Sequence, residues 1–259
     1  MGVLSTRIKQ LSIAVGLYRP ARRLSRIIRP HERREFRGDV ELYRSLLPPG
    51  ALCFDVGANL GDKSEAMLRS GARVVAFEPN PLVVPELRAR CGADKDWNLV
   101  EAALGSGPRI AILHAQKIHS QSSLAQGWEN GKVIARFPVP VVTLDAAIEG
   151  FGLPDYCKID VEGWELEVLT GLTQPVPLIS FEFHLDDNGV RNARSCLERL
   201  AKFGPSRLNI TPAESSTFHF KEWLPLEGFL ERFPGNVIST LPGNPYGDMF
   251  VKSVALERE

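Results

Sequence analysis

A glycine-containing turn, DVGANLG from Asp55 to Gly61, follows a short apolar run and has the residue types of a ligand-binding loop. Gly57 allows a sharp turn and a close approach of a ligand to the backbone, and Gly61 allows the next helix to pack tightly. Asn59 stands where a NAD-type GxGxxG loop has its second glycine, and the GK[ST] ending of a Walker loop is missing. The spacing therefore disfavours both common nucleotide loops.

The acid at the start of this turn indicates the charge of the ligand. Asp55 would repel a pyrophosphate, but it would attract a cationic or amino-bearing ligand. S-adenosylmethionine carries a sulfonium, an α-amino group and a carboxylate. It can place the amino group near Asp55 and the carboxylate near the N–H groups of the following helix. Taken alone, the loop could also be a merely tight turn between a strand and a helix.

A second acid, Glu78, directly follows the apolar run RVVAF and lies 21 residues beyond Gly57. In dinucleotide-binding folds an acid about 20 residues after the glycine loop binds the ribose hydroxyls. Two adjacent oxygens on one carboxylate match a vicinal diol. Glu78 is therefore predicted to bind the ribose of the cofactor.

Side chains near the ends of two later strands are candidates for the chemistry. Methyl transfer from a sulfonium is an in-line displacement that needs alignment and, for a hydroxyl acceptor, a base. Glu182 and His184 have the two-residue spacing that places side chains on one strand face, and a carboxylate raises the basicity of a neighbouring imidazole. We predict Asp160, Glu182 and His184 as catalytic residues.

The same side chains have alternative interpretations. Glu162 is placed to cap a helix starting at Gly163, and His184 could be a surface histidine. Asp160, Glu162 and Glu182 together could hold a divalent ion, as in some O-methyltransferases. A metal site is kept as an alternative and is not predicted.

The elements that must position these residues alternate between strand and helix. Short apolar runs predict buried strands, and repeated β-α-β units imply right-handed crossovers with helices on both sheet faces. We predict an α/β fold, a Rossmann-like three-layer αβα sandwich whose mainly parallel sheet has a late antiparallel strand. The predicted core strands are 51–56, 73–77, 98–103, 156–161 and 178–183, with antiparallel strand-like runs at 109–114 and 133–142.

Composition and charge narrow the class of protein. A chain of 259 residues with 44% apolar residues suits one large domain. Basic and acidic residues balance at 31 each, which gives nucleic acid no support as a partner. The four cysteines lie far apart and form no CxxC, so we predict free thiols in a reducing compartment and a cytoplasmic protein.

Residues 1–37 are predicted to form a basic helical N-terminal arm. Up to residue 30 it carries seven Lys or Arg residues and no acid. One interpretation is an interfacial helix on an anionic membrane or partner surface, and the other is a helix that packs on the domain or dimerises. Its apolar stretch, residues 11–18, is shorter than the ~20 residues of a membrane span.

Six motifs in order give the chain a resemblance to a known family. The resemblance runs from about residue 51 to residue 184, and it implies that residues 38–259 form a class I methyltransferase domain. The motifs that together resemble the FkbM family of class I S-adenosylmethionine-dependent methyltransferases are DVGANLG, AFEPNP (76–81), EAALG (101–105), VTLDAAI (142–148), KIDVEGWELEVLTGL (158–172) and ISFEFH (179–184).

The resemblance also distributes the cofactor over the residues of this chain. Asp160, at the end of the fourth core strand, would face the transferred methyl group. The implied cofactor contacts are Asp55, Gly57, Asn59 and Gly61 for the methionine part, Glu78 for the ribose, Pro79 and Asn80 on the adenine side, and Glu101 and Ala102 at the adenine edge.

The methyl acceptor is the least determined part of this prediction. The NPPY-like motif of many amino-group methyltransferases is absent after the fourth strand, which favours a hydroxyl over a nucleobase. The resemblance suggests O-methylation of a sugar, glycan, lipid or secondary metabolite, in a pocket that Trp128, Trp164 and the serines of 120–123 could line. A NAD-type nucleotide-binding enzyme, and a non-catalytic protein of the same fold tethered by its arm, remain open, as does a homo-oligomer.

Overall fold

The computed structural model describes residues 30–125, 132–213, 215–235 and 246–256. Most of the predicted basic arm, and Trp128 of the predicted acceptor pocket, lie outside these residues. Among the described helices, none has the length and apolar character needed to cross a membrane.

The described chain alternates between strands and helices as predicted, with short 3₁₀ turns at His119–Gln121 and Val254–Leu256. The helices are α1 (Pro30–Leu46), α2 (Asp62–Ser70), α3 (Val84–Cys91), α4 (Leu144–Phe151), α5 (Glu165–Thr170), α6 (Asp187–Ala201) and α7 (Leu226–Leu230). The strands are β1 (Leu52–Val56), β2 (Arg73–Phe77), β3 (Trp97–Val100), β4 (Ala103–Leu104), β5 (Arg109–Gln116), β6 (Val133–Val142), β7 (Tyr156–Ile159), β8 (Leu178–His184), β9 (Ser206–Pro212), β10 (Leu224–Pro225) and β11 (Tyr246–Ser253).

Eight strands form one sheet in the order β10-β9-β11-β8-β7-β1-β2-β3. Strands β8, β7, β1, β2 and β3 run parallel, and β11 lies antiparallel between β8 and β9. This arrangement confirms the predicted α/β fold, with its mainly parallel sheet and a late antiparallel strand. The carboxyl ends of β1, β2, β7 and β8 meet at one edge, where ligands bind in open α/β sheets.

The two faces of the sheet carry two separate apolar cores. On β1, Phe54 packs on one side with helices α4, α5 and α6, while Cys53 packs on the other side with α1, α2 and α3. A strand buried on both faces reads as a continuous apolar run, which is why the sequence predicts it. Asp55 breaks that run on the α1–α3 side, and its burial marks the place where the core becomes polar.

Several predicted boundaries differ from the structure. The run predicted as a third strand over 98–103 divides into β3, in the main sheet, and β4, in a second sheet of order β4-β6-β5. Helix α1 runs from Pro30 to Leu46 and so crosses the boundary predicted at residue 37. Helix α6 begins at Asp187 because the Asp186 carboxylate accepts hydrogen bonds from the N–H groups of Asn188 and Gly189.

All four cysteines are free and buried, as predicted. Burial raises the pKa of the Cys53 and Cys157 thiols far above the ordinary value, since a thiolate is poorly solvated in an apolar core. These thiols therefore act as small apolar side chains.

Candidate active site

A cavity of about 340 Å³ opens at the carboxyl edge of the parallel strands. Its volume lies within the range of small-molecule sites. The lining includes eight of the predicted site residues, namely Gly57, Asn59, Glu78, Pro79, Ala102, Asp160, Glu182 and His184. The sequence-predicted cofactor and catalytic residues thus converge largely on one space.

The loop after β1 brings two strand ends into backbone contact. Gly57 has a φ of 81°, and a Cβ at this position would lie 1.8 Å from the carbonyl oxygen of Asp160. The N–H of Asp160 donates to the carbonyl of Val56 at 2.9 Å. Only a glycine allows this approach, which sets Asp160 beside the loop.

Asn59 and Glu162 have left-handed backbone, with φ of 49° and 55°, and are the only non-glycine residues with positive φ in the described ranges. Both line the cavity. Such conformations are costly for residues with a Cβ and are concentrated at functional sites. The side-chain oxygen of Asn59 is buried and accepts no hydrogen bond from the described residues.

Glu78 is held by the backbone at the wall of the cavity. One carboxylate oxygen accepts the N–H of Asn59 at 2.7 Å, and the other accepts the N–H of Asn80 at 2.8 Å. Burial raises the pKa of Glu78 to about 7, although both hydrogen bonds lower it. Each oxygen keeps a further lone pair, so the fixed carboxylate can accept two more donors from a ligand.

Three predicted cofactor residues support the cavity from behind and do not line it. Asp55 is buried, and its carboxylate accepts a 2.6 Å hydrogen bond from Ser64 on α2. Burial raises the pKa of Asp55, whereas the nearby Lys158 lowers it. Gly61 lets α2 start against α3, because a Cβ there would lie 2.6 Å from the Leu87 side chain. Asn80 is buried and anchors Glu78 through its N–H.

Of the two predicted residues at the adenine edge, Ala102 lines the cavity and Glu101 does not. The Glu101 carboxylate is half exposed and pairs with the Arg88 guanidinium at 2.5 Å. The strand ends at Val100, so consecutive residues point in different directions. Glu101 therefore lies outside the lining, and its contact with the adenine edge stays a prediction.

Asp160 is positioned by a lysine that the sequence analysis did not single out. The Lys158 ammonium is buried and lies 2.7 Å from an Asp160 carboxylate oxygen. Burial lowers the pKa of Lys158, but the carboxylates of Asp160, Asp248 and Asp55 raise it by more. The pKa therefore lies well above its ordinary value. Lys158 is thus a fixed positive charge beneath the cavity. In the sequence, the feature that could have identified Lys158 is the presence of a lysine within an apolar strand.

Glu182 and His184 form the predicted pair. His184 Nε2 lies 3.3 Å from a Glu182 carboxylate oxygen. Burial, and then the charge of Asp160, raise the pKa of Glu182 to about 7, while His184 lowers it. Burial lowers the pKa of His184, but Glu182 more than offsets this and holds it above its ordinary value. The two groups therefore bind one proton jointly near neutral pH.

Tight packing fixes the orientation of this pair. A Cβ at Gly189 on α6 would lie 2.5 Å from the His184 Cβ, so the helix closes directly onto the end of β8. On the other side, Tyr246 of β11 pairs with His184 in register, and the two rings stack with centroids 5.7 Å apart. His184 is held from two sides, and the prediction of a simple surface histidine is not supported.

A polar row crosses four neighbouring strands on the α1–α3 face. Strand pairing places Asp55 beside Lys158, Lys158 beside Ser180, and Asp248 beside Glu182. Asp248, on β11, was also absent from the predicted residues. This row forms the floor between the cofactor loop and the Glu182–His184 pair.

Three side chains could hold a divalent cation. Donor atoms of Glu162, Glu182 and His184 all lie within 4.8 Å of one another. The alternative set considered from the sequence contained Asp160 in place of His184, but Asp160 is already paired with Lys158. Glu162 does not cap the next helix, since α5 begins at Glu165 with no side-chain cap hydrogen bond. The Glu165 carboxylate instead accepts the N–H of Gly163, before the helix, at 3.0 Å.

Residues 119–124, which follow β5, line the cavity. Ser123 donates to the carbonyl of Glu162 at 2.7 Å, and the Ser122 hydroxyl accepts the N–H of Gln116 at 3.0 Å. Trp164 lines the same space and donates from Nε1 to the carbonyl of Leu104 at 3.2 Å. The predicted serines and Trp164 therefore lie at the cavity.

Residues 55–224, which span well over half of the chain, match the family described as the methyltransferase FkbM domain. The chain belongs to the FkbM methyltransferase family. This confirms the resemblance that the six motifs predicted. The matched range begins at Asp55, the first residue of the cofactor loop, and contains Glu78, Asp160 and the Glu182–His184 pair.

One curated protein with a similar sequence is the hexuronic acid methyltransferase AglP of Haloferax volcanii. It is 28% identical over 156 residues, which make up 57% of this chain and 62% of the relative. The chain thus matches less than two thirds of that protein's length.

One solved structure of a similar protein is that of the precorrin-6Y C5,15-methyltransferase of Geobacter metallireducens. It is 14% identical to this chain, with a TM-score of 0.45, and the match covers 83% of this chain and 88% of that chain. Another is the fibrillarin of Aeropyrum pernix with bound S-adenosyl-L-methionine, with 7% identity, a TM-score of 0.44, and coverage of 78% and 66%.

Proposed function

We propose that this FkbM-family protein transfers a methyl group from S-adenosylmethionine to a hydroxyl of a sugar, glycan, lipid or secondary metabolite, with a sugar as the first candidate. The observation that carries the proposal is the arrangement of one cavity. A backbone-held carboxylate, Glu78, lies in one wall, and a proton-binding pair, Glu182 and His184, lies in another.

The residues present fit the cofactor. Glu78 offers two oriented oxygens to the ribose hydroxyls, and the buried Asn59 oxygen accepts no hydrogen bond from the described residues. The acids at and beneath the floor suit a ligand with a sulfonium and an ammonium group. Ala102 and Val83 give the cavity an apolar wall for the adenine.

Asp160 lies between the cofactor side of the cavity, which holds Glu78, and the acceptor side, which holds the Glu182–His184 pair. Gly57 brings the loop against its backbone, and Lys158 holds its carboxylate. When bound, S-adenosylmethionine supplies a methyl group made electrophilic by its positively charged sulfur. Asp160 is placed to favour that positive charge, and Lys158 holds its carboxylate in one orientation.

The Glu182–His184 pair performs the proton transfer in this proposal. The acceptor hydroxyl loses its proton to the pair as its oxygen gains the methyl group, and the pair later releases that proton to water. A base whose pKa lies near the working pH is effective in this role. Stacking on Tyr246 and packing against Gly189 hold the imidazole in place for the transfer.

The test is methyl transfer by the full chain with ¹³C-methyl-labelled S-adenosylmethionine and a panel of methyl glycosides. We expect an O-methyl resonance on one sugar ring and the release of S-adenosylhomocysteine. Calorimetry should show binding of S-adenosylhomocysteine and not of NAD. NAD binding alone would favour a nucleotide-dependent enzyme, and cofactor binding without turnover on any acceptor would favour a non-catalytic protein.

A further inference from the structure

A second cavity, of about 490 Å³, adjoins the one that the proposed function assigns to the cofactor. Its lining comes from α1, the start of α2, the segment after β9 and the start of β11. The two linings share Asp160, Glu182 and Tyr246. Since Asp160 and Glu182 flank the proposed point of methyl transfer, both cavities reach that point.

The sizes of the two cavities indicate how two ligands can be accommodated. The first cavity contains Glu78 and the apolar wall proposed for the adenine, and its volume is about 340 Å³. Sites for one drug-sized ligand begin at about 300 Å³, so a bound cofactor leaves little space there for an acceptor. An acceptor whose hydroxyl reaches Glu182 has space for the rest of its molecule in the second cavity.

Asp248 offers a hydrogen-bond acceptor to a ligand in the second cavity. It lies on β11, directly beside Glu182 in the strand register, and it is partly buried. No side chain or backbone group of the described residues donates a hydrogen bond to it. A shielded carboxyl group normally has a donor, and its oxygens accept a hydroxyl hydrogen bond whether or not the group is ionised. Asp248 is therefore placed to bind a ligand hydroxyl.

The wall formed by α1 is held by a hydrogen-bond network. Lys63, on α2, donates to both carboxylate oxygens of Asp39 at 2.8 Å. The Ser216 hydroxyl, in the segment after β9, donates to one of them at 2.9 Å. All three residues line the second cavity, and the network fixes their polar atoms in position. Two of the three N–H donors of Lys63 are used in this way, and the third can donate to a ligand oxygen.

The apolar part of the second lining is small. Tyr246 lies where the two cavities meet, and its ring stacks on His184 with centroids 5.7 Å apart. Among the described lining residues, the other apolar side chains are Phe36 and Ala213, and the rest are polar. An acyl chain needs mainly apolar walls, because buried polar groups without partners are costly. A saccharide, which has C–H faces and hydroxyl edges, matches an aromatic ring surrounded by hydrogen-bonding groups.

We infer that the second cavity is the acceptor site and binds a saccharide, with Asp248 accepting a hydrogen bond from a hydroxyl near the one that is methylated. This inference rests on the proposed function and deepens it, because it selects one acceptor class and assigns residues to it. It also places most of the acceptor away from Trp164 and the serines of 120–123, which line the first cavity and not the second.

The first experiment tests the acceptor class. The full chain with S-adenosylmethionine is offered methyl glycosides of glucose, galactose and mannose, and separately 1-octanol and benzyl alcohol. We expect transfer to at least one glycoside, with kcat/KM at least about tenfold above that of either apolar alcohol. Transfer to an apolar alcohol and to no glycoside would overturn the inference and leave methyl transfer to a hydroxyl standing. If no probe reacts, and none binds by saturation-transfer NMR, both are wrong.

The second experiment tests the location by filling the second cavity. Glu35 lines it from α1, so Glu35→Trp should lower kcat/KM for the reactive glycoside at least about tenfold. Calorimetry should show S-adenosylhomocysteine affinity within about twofold of the unaltered protein. Glu41→Trp makes the same change at an exposed position of α1, outside both linings, and should alter neither value.

Two results with Glu35→Trp would contradict the location. An unchanged kcat/KM would place the acceptor elsewhere, and a fall in S-adenosylhomocysteine affinity would show that the second cavity holds part of the cofactor. Either result leaves the proposed function standing.

Two variants of Asp248 test its hydrogen bond to the acceptor. Asp248→Leu removes the acceptor atoms and should raise the KM for the glycoside at least about tenfold. Asp248→Asn keeps a side-chain oxygen and should raise it less than about threefold. Thermal unfolding identifies any variant that fails to fold. Equal KM values for the unaltered protein and a folded Asp248→Leu, or equally poor values for the two variants, would show that Asp248 does not bind a hydroxyl.

Discussion

The two halves of the cavity are built from different parts of the polypeptide. On the cofactor side, the geometry comes from the backbone: Gly57 lies against the carbonyl of Asp160, and two N–H groups orient Glu78. On the acceptor side, it comes from charged side chains on β7, β8, β11 and α1, which are distant in sequence. Backbone-built sites constrain which residues are allowed, whereas side-chain-built sites can change by substitution.

This difference explains where variation is expected within one family. The cofactor half depends on backbone conformations that few residue types adopt. The acceptor half needs only a base and walls of suitable charge and shape.

The largest loss of stability and of cofactor binding should come from a substitution in the cofactor half, which is built by the backbone. Gly57→Ala places a Cβ 1.8 Å from a backbone oxygen in a left-handed conformation. We expect a loss of unfolding free energy of about 2–5 kcal/mol, from strain of ~1–2 and overlap of ~1–3, together with loss of S-adenosylhomocysteine binding. Thermal unfolding and calorimetry check this.

Gly71→Ala is the matched control for this change. Gly71 has a φ of 98°, but a Cβ there meets no atom within 4 Å. This variant should lose only about 1–2 kcal/mol and keep cofactor affinity. Equal losses in the two variants would show that strain, and not the contact with Asp160, matters at Gly57.

The next largest effect should come from a substitution between the two halves, at the lysine that holds Asp160. Lys158→Met removes the cation among Asp55, Asp160 and Asp248. We expect a cost of about 2–3 kcal/mol, below the ~3–5 kcal/mol of a fully buried pair because Asp160 is partly exposed, and a kcat at least about tenfold lower. Denaturant unfolding and initial rates measure both.

Lys63→Met tests the same chemistry at the surface. The Lys63–Asp39 pair has a similar distance, 2.8 Å, but Lys63 is 36% exposed. This variant should cost under about 1 kcal/mol. Lys158→Arg should recover part of the lost rate, since it keeps the charge; a rate as low as that of the methionine variant would show that charge alone is insufficient.

The pH dependence of kcat should report the acceptor half. The pair must be deprotonated to act as a base, and the pKa of Glu182 is raised to about 7. At saturating cofactor, kcat should therefore rise with pH up to about 7 and level off above it, with about a tenfold fall per unit on the acid side. Saturation removes the separate effect of Glu78, whose pKa is also about 7. A flat profile between pH 5.5 and 8.5 would rule out the pair as the base.

The sequence predicted the parts of this site that depend on local spacing. The glycine loop, Glu78 and the Glu182–His184 pair each follow from the end of a single strand, where alternation or a turn fixes the direction of side chains. Lys158 and Asp248 were missed because their meaning depends on strand order. Asp248 lies beside Glu182 only because β11 inserts between β8 and β9. Glu101, predicted at the adenine edge, lies outside the cavity lining for a related reason, since β3 ends before it and its carboxylate pairs with Arg88.

The division of the cavity into a cofactor half and an acceptor half is tested most directly by two glutamine variants measured for two properties. Glu78→Gln should weaken S-adenosylhomocysteine binding about tenfold, the loss of one charge-assisted hydrogen bond. Glu182→Gln should keep that affinity within about twofold while kcat at saturating cofactor falls by about 10²–10⁴. Glu101→Gln, at the surface, should change neither. If Glu182→Gln weakens cofactor binding as much as Glu78→Gln, or leaves kcat intact, the division is contradicted.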